Sequence, residues 1–287
     1  MTTTVNNSEF EFIQGLTADL SAPVLIFPTS LKTTMNIRHA IIQDNISNDN
    51  LARIISTEPV LSAQVLKLSN SAAFNSTGKV TTELRKATMR LGFAKVRNLT
   101  IAVGMKQLAA HQDVNGEISV LMEGLWSRSL RVAALSHVIA QNLTKVNPDD
   151  AMLAGLLHDV GKFYILNRAK HYQSLFTSHQ ALWNVVDDWH SNIGAAILEN
   201  WEVSDDIRNA VQNFGNPKYE HLGALDLTDV IVAADILDAH FDDRSKRKLN
   251  WDELPTVLLH LELDAEKSEQ LRESTKIELD QLLGSIS

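Results

Sequence analysis

The chain has 287 residues, of which 44% are hydrophobic and 21% charged, a composition typical of a folded globular protein with one large domain or two small ones. It contains no cysteine, which excludes disulfides and thiolate metal sites, so that any metal would need His, Asp or Glu ligands. The net charge of −9 argues against nucleic-acid binding by the whole surface, and no apolar run approaches the roughly 20 residues that span a bilayer.

Apolar residues recur at spacings of three and four along most of the chain, which is the period of an α-helix. Leu51, Ile54 and Ile55 form one such stripe. Pro59 then suits the first turn of a second helix, because that turn leaves its N–H groups unpaired in any case. Gly92 is expected to interrupt a later helical segment. Alternating patterns typical of strands are almost absent, so the sequence predicts an all-α fold.

The segment DVNGEIS, residues 113–119, contains an Asn-Gly pair and predicts a loop between two helical regions. Pro148 predicts a helix start, because the two aspartates that follow it favour the positive end of a helix dipole. The last stretch of the chain predicts an amphipathic helix with Asp264 as its N-cap. We therefore predict an N-terminal extension, two packed helical subdomains and a C-terminal helical extension, at residues 1–22, 23–112, 119–240 and 241–287.

The segment GLLHDVGKF, residues 155–163, places a His and an Asp side by side in an otherwise apolar run. On a single helix over residues 153–166, His158, Asp159 and Lys162 would share the side opposite the apolar residues. Imidazole and carboxylate both ligate Zn, Mn or Fe, so the pair is a candidate metal site. The structural alternative is a solvated helix face with an ion pair between Asp159 and Lys162.

Two glycines, Gly155 and Gly161, flank this pair. Each costs roughly 1 kcal/mol relative to Ala inside a helix, so a helix that only packed would gain from losing them. Gly155 therefore predicts a close approach by another group on the His-Asp side.

A local excess of positive charge lies between Lys79 and Lys106, where seven basic residues stand against Glu83 alone. This stretch is a possible patch for an anionic partner or a nucleotide. The alternative is a solvated helix face balanced by acidic residues elsewhere, which is the commoner case and the interpretation that we favour. The candidate residues of the patch are Arg85, Arg90, Lys95 and Arg97.

The phrase GLLHDVGK resembles the central motif of the HD superfamily of metal-dependent phosphohydrolases. In the amino-terminal half, FPTSLKTTMNI, LARIISTEPVLSAQVLKLSNSAAF and LRKATMRLGFAKVRNL are together similar to the HDOD family, bacterial signalling relatives of the HD-GYP phosphodiesterases. The resemblance covers about residues 23–240. It implies that the second subdomain is an HD-domain-like helical bundle.

The resemblance also implies positions for metal ligands. An active HD enzyme uses a His from the preceding helix, the His-Asp pair and a later Asp. The pair is present as His158 and Asp159, and the later Asp matches Asp235. The position of the first His matches Arg128, whose guanidinium keeps its proton and cannot ligate a cation.

In the related HD-GYP enzymes a further His and a His-His pair complete a second metal site. His190 matches the further His, whereas the pair would fall at Phe214 and Gly215, neither of which can bind a metal. Lys162 is a possible phosphate-binding residue. The resemblance thus implies a weak or vestigial metal site formed by His158, Asp159, His190 and Asp235.

Two interpretations of this site follow. The one that we favour has Arg128 replacing the cation by pairing with Asp159 or Asp235, which would turn a catalytic centre into a buried polar clasp. In the other, the partial HD site holds one divalent ion, which could be Mn, Fe, Ni, Zn or Mg.

We therefore predict a non-catalytic regulatory module of the cytoplasm that acts through a protein partner in a bacterial signalling pathway, or through a nucleotide. No cofactor, membrane partner or nucleic-acid partner is expected. The alternative is a metal-dependent phosphohydrolase, or a cyclic-dinucleotide phosphodiesterase, that uses His158, Asp159 and Asp235.

Overall fold

The computed structural model describes residues 7–20, 46–109, 117–169, 179–201, 203–215 and 223–286. Over these residues the regular secondary structure is helical and contains no strand, which confirms the all-α prediction. We number the helices α1 to α12 in chain order. They span Asn7–Leu20, Asn48–Ile55, Pro59–Ser69, Leu84–Ala109, Glu117–Leu143, Pro148–Leu157, Val160–Ala169, His179–Asn200, Asp205–Asn213, Leu227–Phe241, Thr256–His260 and Ala265–Ile286.

Several helix boundaries follow the local signals in the sequence. Pro59 begins α3 and Pro148 begins α6, both as predicted. The side chain of Asn147 caps α6 by accepting hydrogen bonds from the backbone N–H groups of both aspartates after Pro148. Gly92 has φ 77° within α4, where two helical segments meet at a kink. A positive φ is far less costly for glycine than for other residues, so the predicted interruption falls at the residue best able to make it.

The single helix expected over residues 153–166 is wrong. Helix α6 ends at Leu157 and α7 begins at Val160, so His158 and Asp159 form the turn between them. The Nδ1 of His158 donates to the carbonyl oxygen of Gly155. That carbonyl would accept from the backbone N–H of residue 159 in an uninterrupted helix, so the ring competes with the helical bond. The pair is buried rather than solvated, with 1% and 0% exposure.

Glycine allows two close helix contacts around this turn. A Cβ added to Gly155 would lie 2.8 Å from the Cα of Ala133 in α5, and one added to Gly161 would lie 1.9 Å from the carbonyl oxygen of His190 in α8. The close approach predicted at Gly155 is therefore confirmed, and the approaching group is the backbone of α5. These two contacts bring α5 and α8 against the turn that carries His158 and Asp159.

One connected cluster of buried hydrophobic residues runs through the described helices, from Phe12 in α1 to Leu282 in α12. Helix α5 packs along α6, and α7 packs along α8. Helix α4 contacts both α5 and α6, which joins the first helices to the later ones. Among the described helices, none is long and apolar enough to cross a bilayer.

The division of the chain into two extensions and two helical subdomains stays a prediction, with bounds at residues 1–22, 23–112, 119–240 and 241–287. Residues 21–45 and 110–116, which contain two of these boundaries and most of the predicted loop at 113–119, lie outside the described residues. So does the motif FPTSLKTTMNI.

Candidate functional site: an arginine clasp

The candidate site lies where three elements of the fold meet. Helix α5 contributes Arg128, the turn between α6 and α7 contributes His158 and Asp159, and α10 contributes Asp235. We call these four residues the arginine clasp. The side chain of Asp159 is completely buried, while those of Arg128 and Asp235 are 20% and 17% exposed. The clasp is therefore partly accessible to solvent.

The guanidinium of Arg128 contacts all three partners. Its Nη1 donates to Oδ2 of Asp159 and contacts Nε2 of His158, and its Nη2 donates to Oδ1 of Asp235. The Nζ of Lys162 lies 2.9 Å from the other oxygen of Asp159. One buried carboxylate thus faces two cations, and one guanidinium bridges two carboxylates from elements that are far apart in the chain.

The ionisation of the clasp follows from these contacts. Burial by itself would raise the pKa of Asp159, but its electrostatic interactions with His158, Arg128 and Lys162 outweigh burial and hold that pKa well below the usual value. Burial by itself would lower the pKa of Arg128, and the charges of Asp159 and Asp235 overcome it and raise that pKa. Asp159 is therefore ionised and Arg128 charged at neutral pH.

Phe214 lies against both histidines of the predicted site. Its ring meets that of His158 edge-on at 5.3 Å between centroids and that of His190 at 6.1 Å. The Nδ1 of His190 is hydrogen-bonded to the carbonyl oxygen of Val186, 2.9 Å away, within its own helix. Burial first, and the charge of Lys162 second, lower the pKa of His190. A Cβ added to Gly215 would lie 4.0 Å from Nε2 of His190.

The arrangement does not fit a divalent metal. Within the described ranges, no group of three or more His, Asp or Glu side chains is placed to hold one. A guanidinium donates to Asp159 and Asp235, the two carboxylates that such a metal would need, and contacts Nε2 of His158. Its fixed positive charge would also repel a cation at that point.

The four residues of the possible anion patch make polar contacts with other residues of the chain. Arg85 pairs with Asp49 at 2.8 Å, and Arg90 donates to the carbonyl oxygen of Ser69 at 2.8 Å. Lys95 and Arg97 each pair at 2.7 Å with one of the two aspartates in the first turn of α6. These contacts favour the structural interpretation of the basic stretch, in which its charges are balanced by acidic and carbonyl groups of the same chain.

Sequence reasoning missed a second Arg–Asp pair beside the clasp. Arg131 donates to both carboxylate oxygens of Asp238, from Nε at 2.6 Å and from Nη2 at 3.1 Å. Arg128 and Arg131 are three residues apart on α5, as Asp235 and Asp238 are on α10. This matching spacing was the available signal. Equal spacing allows two pairs on successive turns of two packed helices, but it does not by itself say which Arg meets which Asp.

A further cation at the clasp, Arg247, was also missed. It belongs to the basic stretch that follows α10, and its Nη1 lies 3.6 Å from Oδ2 of Asp235. Its side chain is 66% exposed, so this contact lies at the solvent side of the clasp. The stretch carries no pattern that pairs it with a particular carboxylate, so this contact had no sequence signal.

The all-α fold and a His-Asp turn facing an acidic residue of a later helix define a helical protein of the HD type. The HDOD domain family matches residues 27–217, and the chain belongs to that family.

Two solved structures share the fold over nearly the whole chain. A candidate metal-dependent phosphohydrolase from Shewanella amazonensis SB2B is 24% identical, with a TM-score of 0.70, and the match covers 96% of this chain and 100% of that one. An HDOD domain protein with unknown function from Geobacter sulfurreducens is 20% identical, with a TM-score of 0.57 and coverage of 96% and 95%. At these identities the similarity establishes the fold alone.

A curated relative, an uncharacterized protein from Treponema pallidum (strain Nichols), is 24% identical over 211 residues. The match covers 69% of this chain. The chain spans only 39% of the length of that relative, which is therefore a much longer protein.

Proposed function

We propose that this protein is a non-catalytic regulatory module of the HDOD type, in which the arginine clasp replaces a catalytic metal. It would act in bacterial signal transduction by binding a protein partner or a nucleotide. The observation that carries the proposal is the position of the Arg128 guanidinium, which contacts His158, Asp159 and Asp235 together.

The chemistry of the clasp supports this role. A hydrolase of the HD type needs an ion to generate a hydroxide and to stabilise the charge of a phosphate. A guanidinium supplies positive charge but has no exchangeable coordination position, so it cannot activate water in that way. It can, however, hold three elements of the fold together through charge-assisted hydrogen bonds, which suits a scaffold that presents a binding surface.

A metal-dependent phosphohydrolase is the second candidate function. The convergence of His158, Asp159 and Asp235 favours it, and Lys162 stands beside Asp159 as a possible phosphate-binding group. It would require Arg128 to move aside when an ion binds. The ion would then neutralise Asp159 in place of the guanidinium, and Arg128 would give up its charge-assisted hydrogen bonds to Asp159 and Asp235.

Metal content of the purified protein distinguishes the two functions. Each variant is incubated with Mn, Fe, Ni and Zn, desalted and analysed by mass spectrometry. We expect the wild-type protein to retain far less than stoichiometric metal and Arg128→His to gain metal that a second change, Asp159→Ala, removes. Arg131→His is the matched control, because it places a His one turn further along α5, beside Asp238, and should gain none.

Near-stoichiometric metal in the wild-type protein, lost in Asp159→Ala, would refute the clasp proposal and support the phosphohydrolase. The same preparations would then be assayed for hydrolysis of phosphorylated substrates. If Arg128→His binds no more metal than Arg131→His does, the idea that Arg128 stands in place of a ligand loses its support.

A further inference from the structure

A cavity of about 510 Å³ lies next to the clasp, between α5, the carboxyl end of α10 with the residues after it, and α12. Its volume falls within the roughly 300–1,000 Å³ of small-molecule sites. Three apolar side chains, Leu135, Phe241 and Leu279, line it from these three elements. The cavity therefore offers an apolar wall, in which Leu135 is the most deeply buried member.

Basic side chains stand at the same cavity. Arg272 and Lys276 lie one helical turn apart on the face of α12 that also carries Leu279, and Arg244 follows α10. The guanidinium carbon of Arg272 lies 5.6 Å from the centroid of the Phe241 ring, in cation–π range. The apolar wall and the positive charge are thus adjacent, and a ligand that reaches one reaches the other.

Three acidic residues line the cavity: Asp243 is exposed to solvent, and the other two are already engaged. Asp238 accepts two N–H groups of Arg131, and Asp242 accepts both the backbone N–H and the Nε–H of Arg244. The carboxylates that face Arg272 and Lys276 are instead those of Glu269 and Glu273 on their own helix. These pairs are partly or largely exposed, and such pairs contribute about 0–1 kcal/mol, so a phosphate can displace them at little cost.

We propose that this cavity binds a nucleoside monophosphate. The base packs on Leu135, Phe241 and Leu279, and the phosphate is bound by Arg272 and Lys276. A flat ring joined to a compact anion by a short spacer matches the order of the lining groups, with apolar residues beside cations on α12.

The position of the cavity connects it to the clasp. The pair of Arg131 and Asp238 lines the cavity and lies one helical turn from the pair of Arg128 and Asp235 on the same two helices. A ligand here therefore acts on the helices that hold the clasp. That such a ligand regulates the protein rests on the proposed function, whereas the binding of the ligand to the cavity does not.

Titration calorimetry in EDTA tests the proposal with AMP, GMP, ribose 5-phosphate, inorganic phosphate and a Glu-rich peptide as probes. We expect saturable binding of AMP or GMP by the wild-type protein. The double variant Arg272→Gln/Lys276→Gln should weaken that binding about tenfold or more, because it removes two charge-assisted hydrogen bonds. Leu279→Ala should weaken nucleotide binding while leaving that of ribose 5-phosphate unchanged. Arg53→Gln, an exposed arginine of α2, is the control and should bind as the wild type does.

Far-UV circular dichroism of each variant establishes that it is folded before titration. The proposal is wrong if neither nucleotide binds saturably, if the double variant binds as tightly as the wild type, or if inorganic phosphate binds as tightly as the nucleotides. Binding of a Glu-rich peptide in place of nucleotides would make the occupant an acidic protein segment and would also overturn it. Because EDTA removes metals, nucleotide binding is measured independently of the metal content of the protein. The nucleotide proposal and the proposed function can therefore each fail without the other.

Discussion

Arg128 neutralises two carboxylates of unequal burial, and the more buried one sets the energetics. Asp159 has no exposed side-chain surface, whereas Asp235 retains some and has Arg247 close by. Removal of one partner of a buried ion pair leaves an uncompensated charge in a medium of low polarity, which is far more costly than loss of an exposed pair. Loss of the Asp159 carboxylate is therefore expected to destabilise the protein more than loss of the Asp235 carboxylate.

Asp159→Asn should lower the free energy of unfolding by roughly 3 kcal/mol at pH 7, because Arg128 and Lys162 lose a shared carboxylate. The folded-state pKa of Asp159 lies well below its unfolded value, so the carboxylate stabilises the fold above about pH 4 and loses this effect as the pH falls through the folded pKa. Urea denaturation at a series of pH values should show the two proteins converging on acidification.

Asp205→Asn is the control for that series. Asp205 pairs with Arg208 at 2.9 Å, but its side chain is 77% exposed. An exposed pair contributes little, so this variant should differ from the wild type by less than about 1 kcal/mol. A deficit in Asp159→Asn that stayed constant down to pH 3 would show that Asp159 is not stabilised in its charged form.

At the scale of helices, the clasp depends on how closely α7 meets α8 and α6 meets α5. Gly161 lies against the backbone of His190, and Gly155 lies against that of Ala133. Backbone atoms cannot move aside to relieve a clash as the end of a flexible side chain can. A single methyl group at either position would therefore force two helices apart.

Gly161→Ala should destabilise the protein by about 1–3 kcal/mol or more, despite the better helix propensity of Ala. Gly124→Ala is the matched control, because this exposed glycine of α5 has nothing within 4 Å of an added Cβ. It should be neutral or stabilise by up to about 1 kcal/mol. Thermal unfolding followed by circular dichroism measures both. Equal effects of the two substitutions would contradict the close approach at Gly161.

At the scale of the whole molecule, the connected core and the contacts of α4 with α6 predict a single cooperative unit. The five tryptophans all follow residue 125, so their fluorescence reports on the later helices only, while far-UV circular dichroism reports on all of them. The two signals should change together on heating, as in a two-state transition. Helical signal lost before the fluorescence changes would mean that the first subdomain, predicted at residues 23–112, unfolds by itself.

Local signals in the sequence predicted helix boundaries correctly where the interaction that sets the boundary is itself local. Pro59, Gly92 and Pro148 mark helix ends because ring geometry and backbone freedom act within one turn. The break at His158 escaped the periodicity, since a ring bound to the carbonyl of Gly155 leaves no trace in the pattern of apolar residues. The pair was therefore predicted to lie within one continuous helix, whereas it forms the turn between α6 and α7.

The sequence by itself determined that this protein is helical and that its motifs are those of an HDOD-like chain, because periodicity and motif order are properties of the chain. That Arg128 stands at the position of a ligand His is what the resemblance implies, and it stays a prediction. Only the tertiary structure decided which groups meet. Arg128 contacts partners 31 and 107 residues away, and the cavity joins side chains of α5, α10 and α12. Such contacts depend on how helices pack, which no local pattern specifies.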